Sequence, residues 1–547
     1  MLELIFKNDV TSVAGDFSRD ELLMIIDECS YAVPAAEWSM KYQKGVWDGK
    51  ISLFNKKTNS FPSGLISDVS KMLDTAKIPF EITDERLSPS LTNNFRLDLS
   101  SRSFRTYQEE AINKIKESTR GILAMCTGAG KTLTSCGIIT ELCSYPVIFI
   151  VPSVSLLKQT VKEFKQSLLV NDTSAGIGEV GGGVCIIFDN GVNVCTYQTL
   201  LTAYDKKYSE SKKRIIDLDE DKTSIQSLQK QLSNLEIDLQ HSPPNKHKSI
   251  NKKIAEINKK IQHKNKVIED KKRIRELVQK CQLMISDETH IASETIEFLS
   301  QKAIKAYYKV GLSATPFRTD NQDKRMFGAT GQIIHKVSAS QLIKLGYLVK
   351  PYIYVIDLSM LNKSSITYQE TYKTAIVQNE DRNNLINSLA TKMHEKNRPT
   401  LILVERLDHG KYLEELIPNS LFVCGGDGSD DAPISEEEMD YRRFQLNRLE
   451  NNEIIMIATQ WANTGIDAPK IACLILAGSN ATEGITFQQI GRALRKASGK
   501  TDCIIFDFKH KEKHLQKHFY SRQKVYQSEP EFEYKLIKYN SNKGIYV

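Results

Sequence analysis

The chain has 547 residues, 40% hydrophobic and 26% charged, with a formal net charge of +7; that length exceeds one core and calls for about two to four domains. Its longest apolar run, around Tyr145 to Pro152, falls far short of the roughly 20 residues that span a bilayer, and the opening MLELIFKNDV lacks the basic start and apolar stretch of a secretion signal. Ten scattered cysteines form no CxxC pair; Cys126, Cys136, Cys195 and Cys281 fall at apolar strand or motif positions and read as small buried hydrophobes in a reducing cytoplasm.

Residues 1–100 alternate short strand-like and helix-like pieces and end in the polar stretch LSPSLTNN (Leu87 to Asn94), which sets them off as a small α+β domain. Within them Lys41, Lys44, Lys50, Lys56 and Lys57 lie among Trp38, Tyr42, Trp47 and Phe54. Lysines suit phosphates, and exposed aromatics can stack on unpaired bases. The plainer expectation for Trp38 and Trp47 is a place with Phe54 in the domain core.

Residues 104–345 alternate apolar strands with helices. GILAMC, TGAGKT (Thr127 to Thr132) and LTSCGIIT supply strand, glycine-rich loop and helix in the order a phosphate cradle needs. Glycines let backbone N–H groups approach phosphates, Lys131 reaches the β- and γ-phosphates, and the Thr132 hydroxyl can hold Mg²⁺. The full GxxxxGK[ST] pattern is not met, so the loop alone is also compatible with a chance turn. VIFIVP (Val147 to Pro152), VNVCT (Val192 to Thr196) and LMISDE (Leu283 to Glu288) are continuous apolar runs of the buried parallel-strand type.

Between the last two lies a segment of another kind. Asp205 to Lys280 holds 20 Lys/Arg against 12 Asp/Glu, an excess of eight in a chain of net charge +7. Ile225, Leu228, Leu232, Leu235 and Leu239 step by three or four, as do Ile250, Ile254, Ile257 and Ile261, with HSPPNK between the two runs. Two prolines cannot continue a helix. The pattern predicts two helices of roughly 30 residues folded back as an antiparallel coiled-coil hairpin, reaching on the order of 40 Å. From Lys246 to Arg275, 12 Lys/Arg stand against 3 Asp/Glu; a DNA contact, a protein partner and an inert spacer are all open.

SDETH (Ser286 to His290) ends its strand. Asp287 could hold Mg²⁺ through water and Glu288 orient or deprotonate an attacking water, although acidic residues are also favoured at any helix start. In GLSATPFR (Gly311 to Arg318) the Ser313-x-Thr315 loop could couple a phosphate site to a neighbouring domain or simply turn the chain. A second strand–helix alternation fills residues 346–508, through TLILVE, SLFVCGG, IIMIAT, ACLILAG and CIIFDF, and implies a second open parallel sheet. FQQIGRALRK (Phe487 to Lys496) puts Arg492 and Arg495 on one helix face, where guanidinium groups suit a γ-phosphate reached across a cleft; a solvated basic face is the bland alternative. Residues 509–547 hold 9 Lys/Arg against 4 Asp/Glu, many aromatics and no periodicity, and read as a basic extension offering a second polyanion surface.

TYQ (Thr106 to Gln108), GAGKT, VPSVSLLKQ, TYQTL, DETH, SATP, TGID and QxxGRxxR occur in the order and spacing of the superfamily 2 helicases, and the chain resembles that family. The resemblance implies two tandem RecA-like parallel-sheet domains, with ATP and Mg²⁺ in the cleft and a nucleic-acid strand across the top. Gln108 would read adenine, while Thr127, Gly128, Ala129, Gly130, Lys131 and Thr132 hold the phosphates. Thr132 and Asp287 would hold Mg²⁺, and Lys131, Glu288, Arg492 and Arg495 would act in hydrolysis. Ser313, Thr315 and Gln488 would couple the domains, and Asp467 would link strand to nucleotide. Thr464, Gly465, Pro152, Ser153, Thr196 and Gln198 would contact strand phosphates.

A narrower resemblance lies in WSMKYQKGVWDGKISLFNKKTNSFPSGLI (Trp38 to Ile66) and LVERLDHGKYLEEL (Leu403 to Leu416), which are similar to the phage UvsW-type helicases. It implies that Lys41, Lys44 and Lys50 face DNA. It also implies a cytoplasmic, monomeric helicase that remodels forked and branched DNA from a single-stranded track, alongside recombination or replication proteins. The hairpin insert departs from that pattern. An RNA helicase, a restriction-type motor subunit and an ATP-switched junction clamp would carry the same motifs and stay open.

Overall fold

Three larger sheets, met one after another along the sequence, organise the computed structural model, which describes residues 1–100, 103–209, 214–217, 225–314, 322–358, 367–424, 436–459, 468–479 and 483–539. In the first, Leu2–Phe6 pairs antiparallel with Val10–Gly15 and parallel with Phe80–Asp84, and Ser60–Pro62 extends it. Alternation along Leu2–Phe6 turns Leu2 and Leu4 inward, where helices Arg19–Glu28 and Ile66–Thr75 cover them with Ile25, Val69 and Leu73. Phe54 joins this core, but Trp38 is 79% exposed and Trp47 only half-buried. Neither tryptophan fills the core, because their segment folds as short turns (Ala36–Trp38, Met40–Gln43) beside a sheet face that two helices already cover.

The second sheet has eight strands in the order Val184–Ile186, Ile177–Gly181, Val192–Thr196, Val147–Val151, Leu283–Ser286, Tyr308–Ser313, Arg120–Met125, Ile333–Val337. All neighbours are parallel except the edge strand Val184–Ile186. Helices lie on both faces, so Arg120–Met125, Val147–Val151 and Val192–Thr196 are buried throughout rather than alternating. Phe95–Leu97, at the end of the stretch read as the first domain, pairs with Leu168–Val170 of this second unit.

The third sheet is entirely parallel, in the order Ser420–Val423, Ile455–Ala458, Thr400–Leu403, Cys473–Leu476, Asp502–Lys509, Lys350–Asp357, Glu533–Lys538. Its edge strand corrects the view of residues 509–547 as a separate extension. Helix Lys513–Ser528 buries Leu515, Phe519, Val525 and Tyr526, and Glu533–Lys538 then completes the sheet. The helix escapes a periodicity reading because its inner face is partly polar. Arg522 donates to both oxygens of Asp507 at 2.9 Å, and Tyr526 Oη donates to the same carboxylate at 2.7 Å, all buried. Just beyond, the Glu529 carboxylate accepts from Ala339 N and Ser340 N, capping helix Ala339–Lys344 at the join between the second and third units.

The first unit is clamped to helix Asp323–Thr330 of the second. Lys324 meets Glu28 at 2.8 Å, Arg325 Nε donates to Tyr31 Oη at 2.7 Å, and a Cβ on Gly64 would lie 2.0 Å from the Phe327 carbonyl. The insert is a pair of packed helices, Ile225–His241 and Pro244–Lys280, of 17 and 37 residues. The limbs are unequal where two of similar length were expected. The second continues into the body of the second unit, burying Ile274, Leu277 and Val278 beside Ile148 and Met284. Among the described residues no helix is long and apolar enough to cross a membrane.

Breaking the Asp507–Arg522 pair from one side leaves a charge buried without its partner. Asp507→Ala is expected to cost about 3–5 kcal/mol of stability in a denaturant melt. A cost below about 1 kcal/mol would mean that the pair does not hold helix Lys513–Ser528 in place.

Candidate nucleotide and nucleic-acid site

Strand Arg120–Met125 delivers loop Thr127–Gly130 to the C-terminal edge of the second sheet, where helix Lys131–Leu142 begins. Gly128 and Gly130 have φ of +86° and +81°, a region side chains avoid, so the turn that aims backbone amides outward needs both glycines. A Cβ on Gly130 would lie 2.4 Å from Gln108 Nε2. Gln108 is 2% exposed; its Nε2 donates to Ala129 O at 3.0 Å and its Oε1 accepts from Arg105 N at 3.0 Å. Tyr107 Oη donates to the same Ala129 carbonyl at 3.0 Å. Gln108 therefore braces the loop from below, with a bond at each end of its amide.

Lys131 Nζ donates to Glu288 Oε1 at 2.6 Å. Burial pulls the Lys131 pKa down, but Glu288 and Asp287 outweigh it and hold the ammonium above the ordinary lysine range. Burial pushes Glu288 up, while Lys131, His290 and Arg492 override it and keep the carboxyl below its usual range. Asp287, buried and beside the Glu288 carboxylate, is pushed up despite Lys131. Two adjacent carboxylates thus differ: one is held below its usual range, and the other is pushed up to about 6. Glu288 has φ +46°, a conformation costly for a non-glycine residue and held by flanking bonds from Glu288 N to Asp287 Oδ1 and from Thr289 N to Leu312 O, both 3.0 Å.

His290 Nδ1 meets Ser313 Oγ at 2.8 Å and lies 3.5 Å from Glu288 Oε2. It joins the acidic strand end to the neighbouring strand, and Ser313 is thereby tied to the phosphate side. No role was assigned to His290 from sequence; its only signal was its position right after Asp287-Glu288-Thr289. Thr315 lies outside the described residues, as do Thr464, Gly465 and Asp467.

The opposite wall comes from helix Glu483–Ala493 of the third unit. Gly491 packs on the loop so closely that a Cβ would sit 2.7 Å from Thr127 Cβ. Leu348 pairs with Arg495, and both border Gly128. Arg492 is near enough to help lower the Glu288 pKa. The structure thus brings Arg492 and Arg495 to the phosphate loop across the boundary between two sheets. Gln488 is half-buried on the same helix. Leu348, and Tyr347 with Arg105 stacked 3.8 Å from its ring centre, had no local signature in the sequence.

The donor set suits a cation that arrives with phosphates. Thr132 stands in the first turn of helix Lys131–Leu142 and Asp287 follows strand Leu283–Ser286. Glu288 Oε2 is buried without a hydrogen bond among the described residues. No group of three or more His, Cys, Asp and Glu among the described residues could hold a metal by itself. A hard cation here would need phosphate oxygens and water to complete its shell, as Mg²⁺ carried by ATP does.

Along the same sheet edge, Ser153 Oγ accepts from Leu156 N at 3.3 Å and starts helix Val154–Ser167, and Gln198 Nε2 donates to Pro152 O at 3.3 Å. Thr196 is 2% exposed, with its hydroxyl 2.8 Å from Thr199 Oγ1. Pro152, Ser153, Thr196 and Gln198 are gathered here, but Thr196 turns inward. A strand phosphate would meet the open amides of helix Val154–Ser167 rather than that hydroxyl. Lys41 and Lys44 are exposed on the first unit. Lys50, also exposed, is paired with Asp27 on the surface.

Residues 101–318 match the family described as "Type III restriction enzyme, res subunit". The chain is 23% identical over 526 residues to the ATP-dependent DNA helicase uvsW of Enterobacteria phage T4, covering 91% of this chain and 89% of that protein. It is 22% identical over 424 residues to DNA 3'-5' translocase XPB2 of Sulfurisphaera tokodaii, covering 72% and 78%. Two further viral relatives are matched over only 43% and 54% of their own lengths. The crystal structure of T4 UvsW aligns over 99% of both chains at 20% identity, with a TM-score of 0.41.

Lys131→Ala is expected to abolish ATP hydrolysis. Arg492→Ala is expected to lower kcat by about 10³-fold or more while nucleotide affinity stays close to normal. Steady-state ATPase assays with nucleotide titrations separate the two. An Arg492→Ala variant of near-normal kcat would remove that side chain from the chemistry.

Proposed function

Taking the chain as a relative of the superfamily 2 DExH-type helicases, we propose that it is an ATP-driven DNA helicase or translocase that remodels branched DNA. The observation that carries this reading is the closed cleft in which Lys131 and Glu288 meet at 2.6 Å while Arg492 and Arg495 reach the same loop from the other sheet. ATP entering with Mg²⁺ competes with Glu288 for Lys131. The ammonium turns to the β- and γ-phosphates, and Glu288, held anionic, is released to orient a water. Thr132 and Asp287 would hold the cation, whose charge would draw the raised Asp287 pKa back down. Arg492 and Arg495 face the charge that builds on the transferred phosphoryl group. Water attack on the γ-phosphorus breaks its bond to the β-phosphate oxygen and leaves ADP and inorganic phosphate; release of that phosphate removes the anion both walls share, so they part, and His290 and Ser313 carry the change to the next strand. Repeated closure shifts Ser153 and Gln198 against the third unit, which is movement along a strand.

DNA as substrate is supported by the relatives, two of which are named as DNA enzymes over most of their length. A branched substrate is supported by the first unit. Trp38, Met40, Tyr42 and Val46 are exposed there beside Lys41 and Lys44, a combination that suits stacking on unpaired bases with phosphates nearby. The clamp on helix Asp323–Thr330 makes that surface ride with the second unit. A restriction-type motor is the second reading, favoured by the description of the family matched over residues 101–318.

ATPase and strand-displacement assays on single strands, forks, four-way junctions and RNA, with Lys131→Ala as the inactive control, test the proposal. Forks and junctions are expected to stimulate hydrolysis several-fold over single strands and RNA. Equal or greater stimulation by RNA or plain single strands would overturn the branched-DNA reading, and ATP-dependent cutting by the chain with a nuclease partner would favour the restriction-type one.

A further inference from the structure

The helical hairpin between Ala203 and Leu283 is the largest feature that the ATP cycle leaves unused. Its direction follows from the sheet register. Ser286, just before Asp287, is level with Ile150, Cys195 and Val180 across the sheet, and Val180 pairs with Cys185 on the edge strand. Cys185 packs into the same apolar layer as Ile274 and lies against Asp270. Asp270 is therefore level with the strand ends that carry Asp287, Ser153 and Thr196. From there the helix runs down the sheet face through Ile274, Leu277 and Val278 to Cys281, at the opposite edge. Lys271 bonds Asp205 at 2.6 Å and Arg275 Nη1 donates to Ala203 O at 2.8 Å, fixing this root. Pro244 to Glu269 must then stand beyond the edge where the strand-contacting residues gather, for about 40 Å at 1.5 Å per residue.

Net positive charge is confined to the second limb. Helix Ile225–His241 carries one Lys, one Glu and one Asp, whereas Pro244–Lys280 carries 13 Lys/Arg and 4 Asp/Glu. Ile250, Ile254, Ile257 and Ile261 are half-buried in the seam with the first limb. Lys252, Lys259, Lys266 and Arg273 repeat every seven residues and are exposed. Seven residues fall about 20° short of two full turns, so the four form a single row on the side away from the seam. The row is about 32 Å long, close to one turn of B-DNA at about 34 Å. Glu256, Glu269 and Asp270 are the acidic residues one helical turn from members of the row. Among the described residues, no ion pair within 4.0 Å engages Lys252, Lys259, Lys266 or Arg273, whereas Lys271, Arg275 and Lys280 at the root are paired. Opposite charges at i,i+4 could pair along the helix, but among the described residues Lys252 with Glu256, Lys266 with Asp270 and Glu269 with Arg273 form no ion pair within 4.0 Å, and the 13 Lys/Arg of the limb outnumber its 4 Asp/Glu.

We propose that this row grips the phosphate backbone of duplex DNA beside the strand-tracking edge, a second, sequence-independent contact on one arm of the substrate. It rests on the preceding reading only for the identity of the polyanion. The test is equilibrium binding of the full chain, without nucleotide, to a fork with duplex arms and to a short single strand across a range of salt. The variant is Lys252→Gln, Lys259→Gln, Lys266→Gln, with helix content checked by circular dichroism. The slope of log K against log salt for the fork is expected to fall by about 2–3, near 0.9 per lost phosphate contact, with the single-strand slope unchanged. An unchanged fork slope would overturn the proposal, as would an equal loss on the single strand. A change in sedimentation mass without a change in fork binding would assign the row to self-association instead. Because no ATP is involved, the row can pass this test even if forks fail to stimulate the ATPase, and the reverse.

Discussion

The contact between Lys131 and Glu288 is the constraint around which the rest of the molecule is arranged. Two partly buried charges 2.6 Å apart are tolerated because each is the other's principal partner, and neither could be held there by its own element alone. Lys131 depends on a loop whose glycines accept positive φ and whose underside is braced by Gln108 and Tyr107. Glu288 depends on a left-handed backbone at a strand end, stabilised by bonds to Asp287 and to the neighbouring strand. An anion that takes Lys131 away frees a carboxylate already kept charged, so binding and activation become the same event.

The architecture around that pair separates what must move from what must not. The first unit and the helical arm are both fastened to the second sheet, one by the clamp on helix Asp323–Thr330 and the other by the buried turns around Ile274 and Leu277. The third unit meets the cleft through Gly491, Leu348 and Arg495, and meets the join through Glu529, which caps helix Ala339–Lys344. The exposed lysines and aromatics of the first unit and the basic arm thus ride on one body, while Arg492 and Arg495 ride on the other. Opening of the cleft becomes displacement of one relative to the other.

Much of this was legible in residue order. Continuous apolar runs marked the inner parallel strands because both of their faces are covered, and the glycine-rich loop, the acidic strand end and the paired arginines were recognisable because their chemistry requires adjacent residues. The helical seam could be read because Ile250, Ile254, Ile257 and Ile261 keep helical spacing. Other elements were illegible for identifiable reasons. Helix Lys513–Ser528 mixes Arg522 and Tyr526 into its buried face, so no apolar period announces it. Trp38 looked like core by its type, but the sheet it borders was already covered. Lys50 and Thr196 had the right chemistry and were engaged elsewhere, one by Asp27 and the other by Thr199, partners that only folding supplies.

The sequence by itself determined the local chemistry: which loop can cradle phosphate, which strand end is acidic, and which helix face is basic. These follow from spacing within a single element, where backbone geometry is set by neighbours along the chain. The tertiary structure alone decided which of those groups meet. It put Glu288 on Lys131 across 157 positions, carried Arg492 and Arg495 to a loop of another sheet, set Gln108 as a brace under that loop, and pointed the basic arm toward the sheet edge where Ser153 and Gln198 gather. Those choices depend on sheet order and register, which arise from packing whole elements together and are not encoded in any one stretch of residues.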